Sequence, residues 1–311
     1  MSKLLTITLN TAYDLIGCLP RIALGEVNKV EYLGLYPAGK GVNVAKVLHD
    51  LGIQSAVSGF IGRDNQGEYQ KMFTELDLID HFQRVNGTTR MNVKITETEA
   101  DVTDINFQGY VINEQDWQQF VDYSLQISSQ FDFIAICGSL PPGVSPTAFM
   151  LWLQKLNTGR AKIVLDTSNE ALTMGIQAKP WLVKPNYREL ETWVGHPLPH
   201  LLDIISAAKT LQAEGVMNVV VSLGEQGAIW LTPDNILYAQ PPMCEHVVST
   251  VGAGDAMVAG LIYGILHQHA PADTLAFASA VATFTVSQTH VGIPDRSLLN
   301  PILENIKITS I

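Results

Sequence analysis

Ser249-Thr250-Val251-Gly252-Ala253-Gly254-Asp255 runs straight into Ala256-Met257-Val258-Ala259-Gly260-Leu261-Ile262, and the rest of the chain can be read outward from this stretch. Gly252 and Gly254 flank one alanine, so the backbone there can take positive φ and approach a ligand without a Cβ in the way. Val258, Leu261, Ile262 and Ile265 recur at the spacing of one helix face, which predicts a helix opening at this turn. The first N–H groups of a helix have no internal partner and carry the positive end of its dipole. Donors from Gly252, Ala253 and Gly254 and the carboxylate of Asp255 would therefore meet. The donors can hold the oxygens of a phosphoryl group in transfer, and the carboxylate can take a proton from an attacking hydroxyl. Equally, Asp255 could do no more than cap the helix while the glycines make the turn; the remainder of the chain has to decide.

A chain of 311 residues with 47% apolar residues can bury one large α/β core, or a core with a small appendage. The formal net charge is −11 and Lys and Arg form no run, which argues against a nucleic-acid backbone or an anionic membrane surface as partner. In so acidic a chain Lys40 and Lys184, both beside turns, stand out as anion-site candidates. Cys18, Cys137 and Cys244 are isolated and odd in number, so neither a disulfide framework nor a thiolate zinc site is expected, and a reducing cytoplasm fits. The N-terminal apolar run, Leu4 to Leu9, is too brief for a secretory segment, and no stretch approaches the ~18 apolar residues of a membrane span.

Leu4–Leu9 reads as a buried first strand ending at Asn10, with Asp14 close behind. Val27–Tyr36 reads as a β segment with one wet face, leading into Pro37-Ala38-Gly39-Lys40-Gly41, after which Val44, Leu48 and Leu51 mark a helix that stops at Gly52. Ser55–Ile61 is the next strand. Two more wet-faced strands, Arg90–Thr96 and Val102–Phe107, are joined by the acidic Glu97-Thr98-Glu99-Ala100-Asp101. Beyond them the chain alternates: helix Glu114–Ser128, strand Phe131–Cys137, helix Pro146–Leu156, strand Lys162–Asp166, and a short strand Trp181–Val183 ending at Lys184-Pro185-Asn186. Val219–Leu223, the turn Gly224-Glu225-Gln226-Gly227 and the return strand Ala228–Leu231 precede two long helices, about Ala256–His267 and Ala272–Gln288. Such alternation implies right-handed crossovers and a mainly parallel sheet, with the ligand crevice outside the carboxyl ends of its strands.

Several familiar chemistries fail on spacing. Gly34-Leu35-Tyr36-Pro37-Ala38-Gly39-Lys40-Gly41 is a near P-loop with glycine where a magnesium-binding Ser or Thr is required. Gly252-Ala253-Gly254 lacks the third glycine of a dinucleotide fingerprint, and neither Ser139 nor Ser222 sits in a nucleophile elbow. The histidines, His246, His267 and His290 among them, show no metal-ligand spacing. Glycine turns with Lys40, Lys184, Arg90 and isolated acids at strand ends remain, which is the equipment of phosphoryl transfer.

With these residues in view the chain resembles the PfkB family of carbohydrate kinases. Ala38-Gly39-Lys40-Gly41-Val42-Asn43-Val44-Ala45, with Gly52 and Gly62 beyond, is similar to the family's N-terminal signature, and Ser249 through Ile262 to its C-terminal one. Ile7-Thr8-Leu9-Asn10, Thr89-Arg90-Met91-Asn92-Val93-Lys94, Gly138-Ser139-Leu140-Pro141 and Lys184-Pro185-Asn186 with Glu189 bring it nearest to members acting on fructose 1-phosphate, with tagatose 6-phosphate kinases as near relatives.

The resemblance covers essentially the whole chain. It implies a ribokinase-like three-layer α/β/α fold, residues 1–311 as one kinase domain, with a mainly parallel central sheet and a small β-sheet lid drawn from about 11–36 and 88–110. It implies ATP- and Mg²⁺-dependent phosphorylation of the 6-hydroxyl of fructose 1-phosphate, with tagatose 6-phosphate or fructose 6-phosphate as the alternative acceptors and a non-catalytic sugar-phosphate sensor as the alternative class. By the same resemblance Asp255 is the base, with the N–H groups of Gly252, Ala253 and Gly254 as anion hole. Ser222, Leu223, Gly224, Glu225, Gln226 and Gly227 make the ATP turn, joined in nucleotide binding by Gly254. Lys184 and Asn186 serve the nucleotide phosphates and Glu189 the metal, through water. Asp14, Gly39, Lys40, Asn43, Arg90, Ser139 and Asp255 face the sugar phosphate. Taken singly, Asp14 could be a turn residue, Arg90 a solvated strand charge and Glu189 a first-turn acid favoured by the helix dipole. Thr11 and Ala38 depart from the family pattern, standing where many members have proline and glycine. A homodimer through the lid strands is the expected assembly.

Overall fold

Adjacent residues of the central strands face different hydrophobic clusters, and this alternation sets the layers. Leu5, Ile134, Ile136, Ile163, Leu165, Val219, Val221, Ile229 and Leu231 belong to one cluster, whereas Leu4, Phe133, Ala135, Cys137, Val164, Val220, Ala228 and Trp230 belong to another. A strand buried on both faces reads as a continuous apolar run, as these do. The computed structural model describes residues 3–97, 102–244 and 247–311. The acidic connection at 98–101 and His246 lie outside the described residues.

In chain order the strands are β1 (Leu4–Thr8), β2 (Ala12–Leu19), β3 (Glu31–Ala38), β4 (Ala56–Gly62), β5 (Ile79–Val85), β6 (Arg90–Glu97), β7 (Val102–Asn106), β8 (Phe133–Cys137), β9 (Lys162–Asp166), β10 (Leu182–Val183), β11 (Asn218–Ser222), β12 (Ala228–Leu231), β13 (Ile236–Gln240) and β14 (Lys307–Ser310). The helices are α1 (Lys40–Asp50), α2 (Gly67–Glu75), α3 (Glu114–Ser128), α4 (Pro146–Leu156), α5 (Asn169–Ile176), α6 (Tyr187–Val194), α7 (Leu201–Ala213), α8 (Ala253–Leu266), α9 (Pro271–Val286) and α10 (Asn300–Leu303). Among the described residues a ten-stranded sheet runs β14-β13-β12-β11-β10-β9-β8-β1-β4-β5, and a separate four-stranded sheet runs β3-β2-β6-β7. The large sheet is parallel from β11 to β5 and turns antiparallel through β12, β13 and β14. This is the ribokinase-like α/β arrangement, with helices α3, α4, α5 and α7 contributing to one cluster and α1, α8 and α9 to the other.

The chain leaves β1 toward β4 on one side and later returns to β8 on the other, so the strand order reverses beside β1. That reversal opens a crevice at the carboxyl ends of these strands. Asn10 marks it, donating from Nδ2 to Ser139 Oγ at 3.0 Å and to the Leu140 carbonyl at 3.3 Å.

Three elements differ from the sequence expectation. The segment expected as strand from Val27 becomes β3 only at Glu31, because the Asn28 side chain folds back on the Ala23 N–H at 2.8 Å and on the Ala23 and Glu26 carbonyls. Asp14 lies inside β2 rather than after a strand end, paired in register with Tyr36 of β3 and Asn92 of β6. The long helix opens at Ala253, three residues before Ala256, so Asp255 stands within its first turn. Among the described residues no helix is long and apolar enough to cross a membrane.

The departures Thr11 and Ala38 both find their reasons here. The Thr11 N–H donates to the Tyr110 hydroxyl at 3.1 Å and its Oγ1 to the Phe60 carbonyl at 2.7 Å, neither of which proline could do. Ala38 is buried, and its backbone is not in the left-handed region, so glycine is not required.

Candidate active site

Two helix starts meet at the crevice. α1 begins after Gly39, whose φ of 134° and whose missing Cβ, which would lie 2.7 Å from Thr8 Cγ2, both demand glycine. The helix then lies against the end of β1: the Val42 N–H donates to Thr8 Oγ1 at 3.1 Å, and a Cβ on Gly41 would collide with the Ile7 carbonyl at 2.8 Å. α8 begins after Gly252, at φ 82°. Asn43, in the first turn of α1, donates from Nδ2 to Asp255 Oδ2 at 2.8 Å, in the first turn of α8. The unpaired N–H groups of two helix starts therefore converge on one place, where negative charge is favoured.

Asp255 is 5% exposed. Burial pushes its carboxyl up to about 7; Lys40, the Asn43 hydrogen bond and Lys184 pull it back, while Asp166 adds to the rise. A carboxylate so placed is a usable base near neutral pH, which an exposed aspartate is not. Lys184 Nζ lies 3.3 Å from where a Cβ on Gly254 would stand, so its ammonium rests against the start of α8.

Asp166, at the end of β9, holds the cations in place. Its Oδ1 lies 3.5 Å from Lys40 Nζ and 3.4 Å from Lys184 Nζ. Burial alone would raise this carboxyl, but Lys184 and Lys40 reverse the shift and hold it below its ordinary value. In return Asp166, above all, keeps the Lys40 ammonium well above its usual range against partial burial, with Asp255 and Glu189 acting in the same direction. Asp166 Oδ2 is buried without a hydrogen-bond partner. Sequence reading saw this residue only as the end of a strand. The signal that could have found it was its place, an acid closing a buried parallel strand on the crevice side.

The remaining candidates fall into neighbouring groups. Asn186 and Glu189 form a reciprocal cap of α6: the Asn186 N–H donates to Glu189 Oε2 and the Glu189 N–H to Asn186 Oδ1, each at 2.8 Å. Ser222 is joined to this segment, its N–H donating to the Pro185 carbonyl at 3.1 Å. From there Leu223, Gly224, Glu225, Gln226 and Gly227 close a tight turn through the Leu223 N–H to the Gly227 carbonyl at 2.8 Å. In the small sheet, Arg90 Nη1 donates to Asn92 Oδ1 at 2.8 Å and Asn92 Nδ2 to Asp14 Oδ1 at 3.0 Å, while Lys94 Nζ stands 3.8 Å from Asp14 Oδ2. Arg90 Nε is buried and unpartnered. Arg90, Asn10 and Ser139 line one cavity of about 740 Å³ between the two sheets, with Gln108 and Asn169. Asp14, Lys40 and Asn43 are outside its lining. Lys40 instead borders Gly138, the residue before Ser139, since a Cβ on Gly138 would lie 3.7 Å from Lys40 Cβ. Among the described residues no group of three or more His, Cys, Asp or Glu is placed to hold a metal ion by itself.

The profile of the pfkB family carbohydrate kinases matches residues 2–297. Over 311 residues the chain is 60% identical to the 1-phosphofructokinase of Haemophilus influenzae, covering 100% of this chain and 99% of that one. It is 50% identical over 306 residues to the 1-phosphofructokinase of Escherichia coli, covering 98% of each. Among solved structures it superimposes on phosphofructokinase-2 from Escherichia coli in complex with potassium at a TM-score of 0.91, with 25% identity over 98% of this chain and 99% of that one.

Proposed function

Because this chain belongs to the pfkB family of carbohydrate kinases, we propose that it moves the γ-phosphoryl group of ATP to the 6-hydroxyl of fructose 1-phosphate, giving fructose 1,6-bisphosphate and ADP. The observation that carries the reading is the buried Asp255, poised near pH 7 inside a turn of bare N–H groups and beside two lysines that share Asp166. A binding module has no use for a base set into an anion-holding turn. The names of the two relatives given above favour fructose 1-phosphate as acceptor.

In this reading Asp255 takes the proton of the 6-hydroxyl as the phosphoryl group arrives, and the N–H groups of Gly252, Ala253 and Gly254 hold its equatorial oxygens. Asn43 keeps the Asp255 carboxylate aimed at the acceptor. Lys184, backed by Asp166, faces the nucleotide phosphates, and Lys40 and Arg90 neutralise the phosphate already on the sugar. Asp14, Gly39 and Ser139 hold the rest of the sugar. Asn186 and the turn Ser222–Gly227 carry the nucleotide. The small sheet closes as a lid and excludes water that would otherwise accept the phosphoryl group.

Mg²⁺ fits this chain, since a hydrated ion needs only one or two carboxylates besides phosphate oxygens, and Asp166 keeps one buried oxygen unpartnered. Asp166 and Glu189 would hold it, and when bound it would neutralise charge on the β- and γ-phosphates. The exposed Tyr32, Leu33, Ile105 and Phe107 of the small sheet and its edge suit it to pair with a second copy, and the cytoplasm suits such a metabolic kinase.

The test is ADP release with MgATP and a panel of acceptors: fructose 1-phosphate, tagatose 6-phosphate, fructose 6-phosphate, fructose and ribose. Highest kcat/KM for fructose 1-phosphate upholds the reading. Preference for another phosphorylated ketose moves the substrate and keeps the mechanism. Sugar-phosphate binding without any ADP release replaces the kinase by a sensor.

A further inference from the structure

One contact joins the small sheet to the segment that covers the anion-holding turn. The Tyr36 ring, on β3, lies against the His290 ring with centroids 4.4 Å apart and planes at 43°. Tyr36 is the cross-strand partner of Asp14. His290 is followed by Val291, whose Cγ2 stands 2.2 Å from where a Cβ on Gly252 would be, so the valine methyl rests directly on the glycine of the turn. The same segment is pinned from the other side, where the Ile293 N–H donates to Asp50 Oδ2 at 2.7 Å. Next to Tyr36, the Pro37 carbonyl accepts from Lys46 Nζ of α1 at 2.6 Å. Gly34 makes room for the ring: a Cβ there would fall 2.4 Å from Tyr36 Cε2. His290 is held below its ordinary value by partial desolvation and then by the Lys46 charge, which favours the uncharged ring.

We infer that Tyr36 and His290 are positioning residues that set the anion-holding turn at Gly252 according to the position of the lid strand bearing Asp14. The path is short and continuous: Asp14 to Tyr36 across one strand pair, Tyr36 to His290 through the rings, Val291 onto Gly252. The outer side of His290 is exposed, but its ring contact with Tyr36 and the approach of Val291 to Gly252 are both close, so a displaced lid strand shifts the turn through them. The inference rests on the kinase reading given above, and it adds the route by which an acceptor seated on Asp14 brings the anion hole into register with the attacking hydroxyl.

The experiment compares Tyr36→Leu, His290→Leu, the double variant, His290→Phe and Gly34→Ala in the full chain. Two readouts are taken: steady-state kcat and KM for both substrates, and hydrogen–deuterium exchange of residues 248–256, where the Ala256 N–H is bonded to the Gly252 carbonyl at 2.8 Å. Each leucine variant and Gly34→Ala are expected to lose about 10- to 100-fold in kcat, the size of effect a small misplacement of reacting groups produces, with KM for ATP held. The double variant should be no worse than either single one, since both break the same contact, and His290→Phe, which keeps a ring there, should restore kcat. Faster exchange at 248–256 should accompany every loss. Unchanged kcat, additive losses in the double variant, or a loss that His290→Phe does not restore would overturn the inference. Should no acceptor be phosphorylated at all, the kinase reading fails while exchange still decides this one: faster exchange in both leucine variants upholds it, and unchanged exchange overturns it.

Discussion

Asn43 and Asp255 stand 212 positions apart in the chain, yet the Asn43 amide donates to the Asp255 carboxylate at 2.8 Å. The bond locks together the first turns of α1 and α8, and both are places where N–H groups lack internal partners. It also favours the ionised form of a carboxyl that burial drives the other way.

Asp255→Asn is expected to lower kcat by about 10²–10⁴-fold with little change in KM, the usual size of a general-base contribution. Steady-state assays of the purified variant check it, and near-normal turnover would remove Asp255 from that role. The same variant has a signature in stability. The folded carboxyl sits at about 7, above its ordinary 3.8, so its stabilising contribution is complete below the lower value and is lost as pH rises toward the upper one. The asparagine variant lacks this loss. Its Tm should draw ahead of the native chain between those two pH values and stay level above them, as thermal melts across the range would show.

Asn43→Ala should move the acid limb of kcat/KM to higher pH. Without the donated hydrogen bond the ionised Asp255 is less favoured, so a larger share of the enzyme is protonated and idle at a given acidic pH. A pH–rate profile with the acid limb unmoved would show that the bond does not tune the base.

Asp166→Asn should cost about 3–5 kcal/mol of stability, the range for removing one partner of a buried ion pair. Most of that cost is assigned to Lys184, because the Lys40 side chain is 39% exposed and water screens it. The folded Asp166 carboxyl is depressed, so its contribution is present above the unfolded value and fades as pH falls below it. Urea titrations at neutral and acidic pH should therefore show the gap between native and variant chains closing on acidification.

Gly252→Ala would force a side chain into positive φ and against Val291 at 2.2 Å. The turn must shift, and kcat should fall by about 10²–10³-fold, as when one donor to a transition-state oxyanion is lost. A folded variant with unchanged kcat would exclude those N–H groups from the reaction.

Arg90→Ala should chiefly raise KM for the sugar phosphate. Pairing with a phosphate that is already present stabilises ground and transition states alike, and the buried Arg90 Nε is unpartnered without a ligand. Substrate titrations separate this from an effect on ATP, and a rise confined to KM for ATP would place Arg90 on the wrong substrate.

The sequence by itself determined the elements that local spacing encodes. Apolar runs at Leu4, Phe133, Lys162 and Val219 became buried parallel strands, and the glycine turns before Lys40 and Ala253 became helix starts. Their local geometry was legible because glycines at a helix start carry their physics in one short stretch. Segments with weaker or shorter patterns went unread, among them α2, β5, α5, α7, β13 and β14. β13 pairs antiparallel with β12 and β14 in turn with β13, and no local signal announces which edge a late strand will join.

Only the tertiary structure decided which charges meet. Asp166 lies 126 residues from Lys40 in sequence and reads as an ordinary strand end, and it gains its part from parallel crossovers that bring β9 beside Lys184 and the start of α1. The pairing of Asp14 with Tyr36, and of Tyr36 with His290, likewise follows from strand register and from where the chain returns after α9. Periodicity reports what a residue must bury, whereas long-range packing sets the desolvation and the neighbours that shift a carboxyl such as Asp255, and these depend on residues the local pattern never sees.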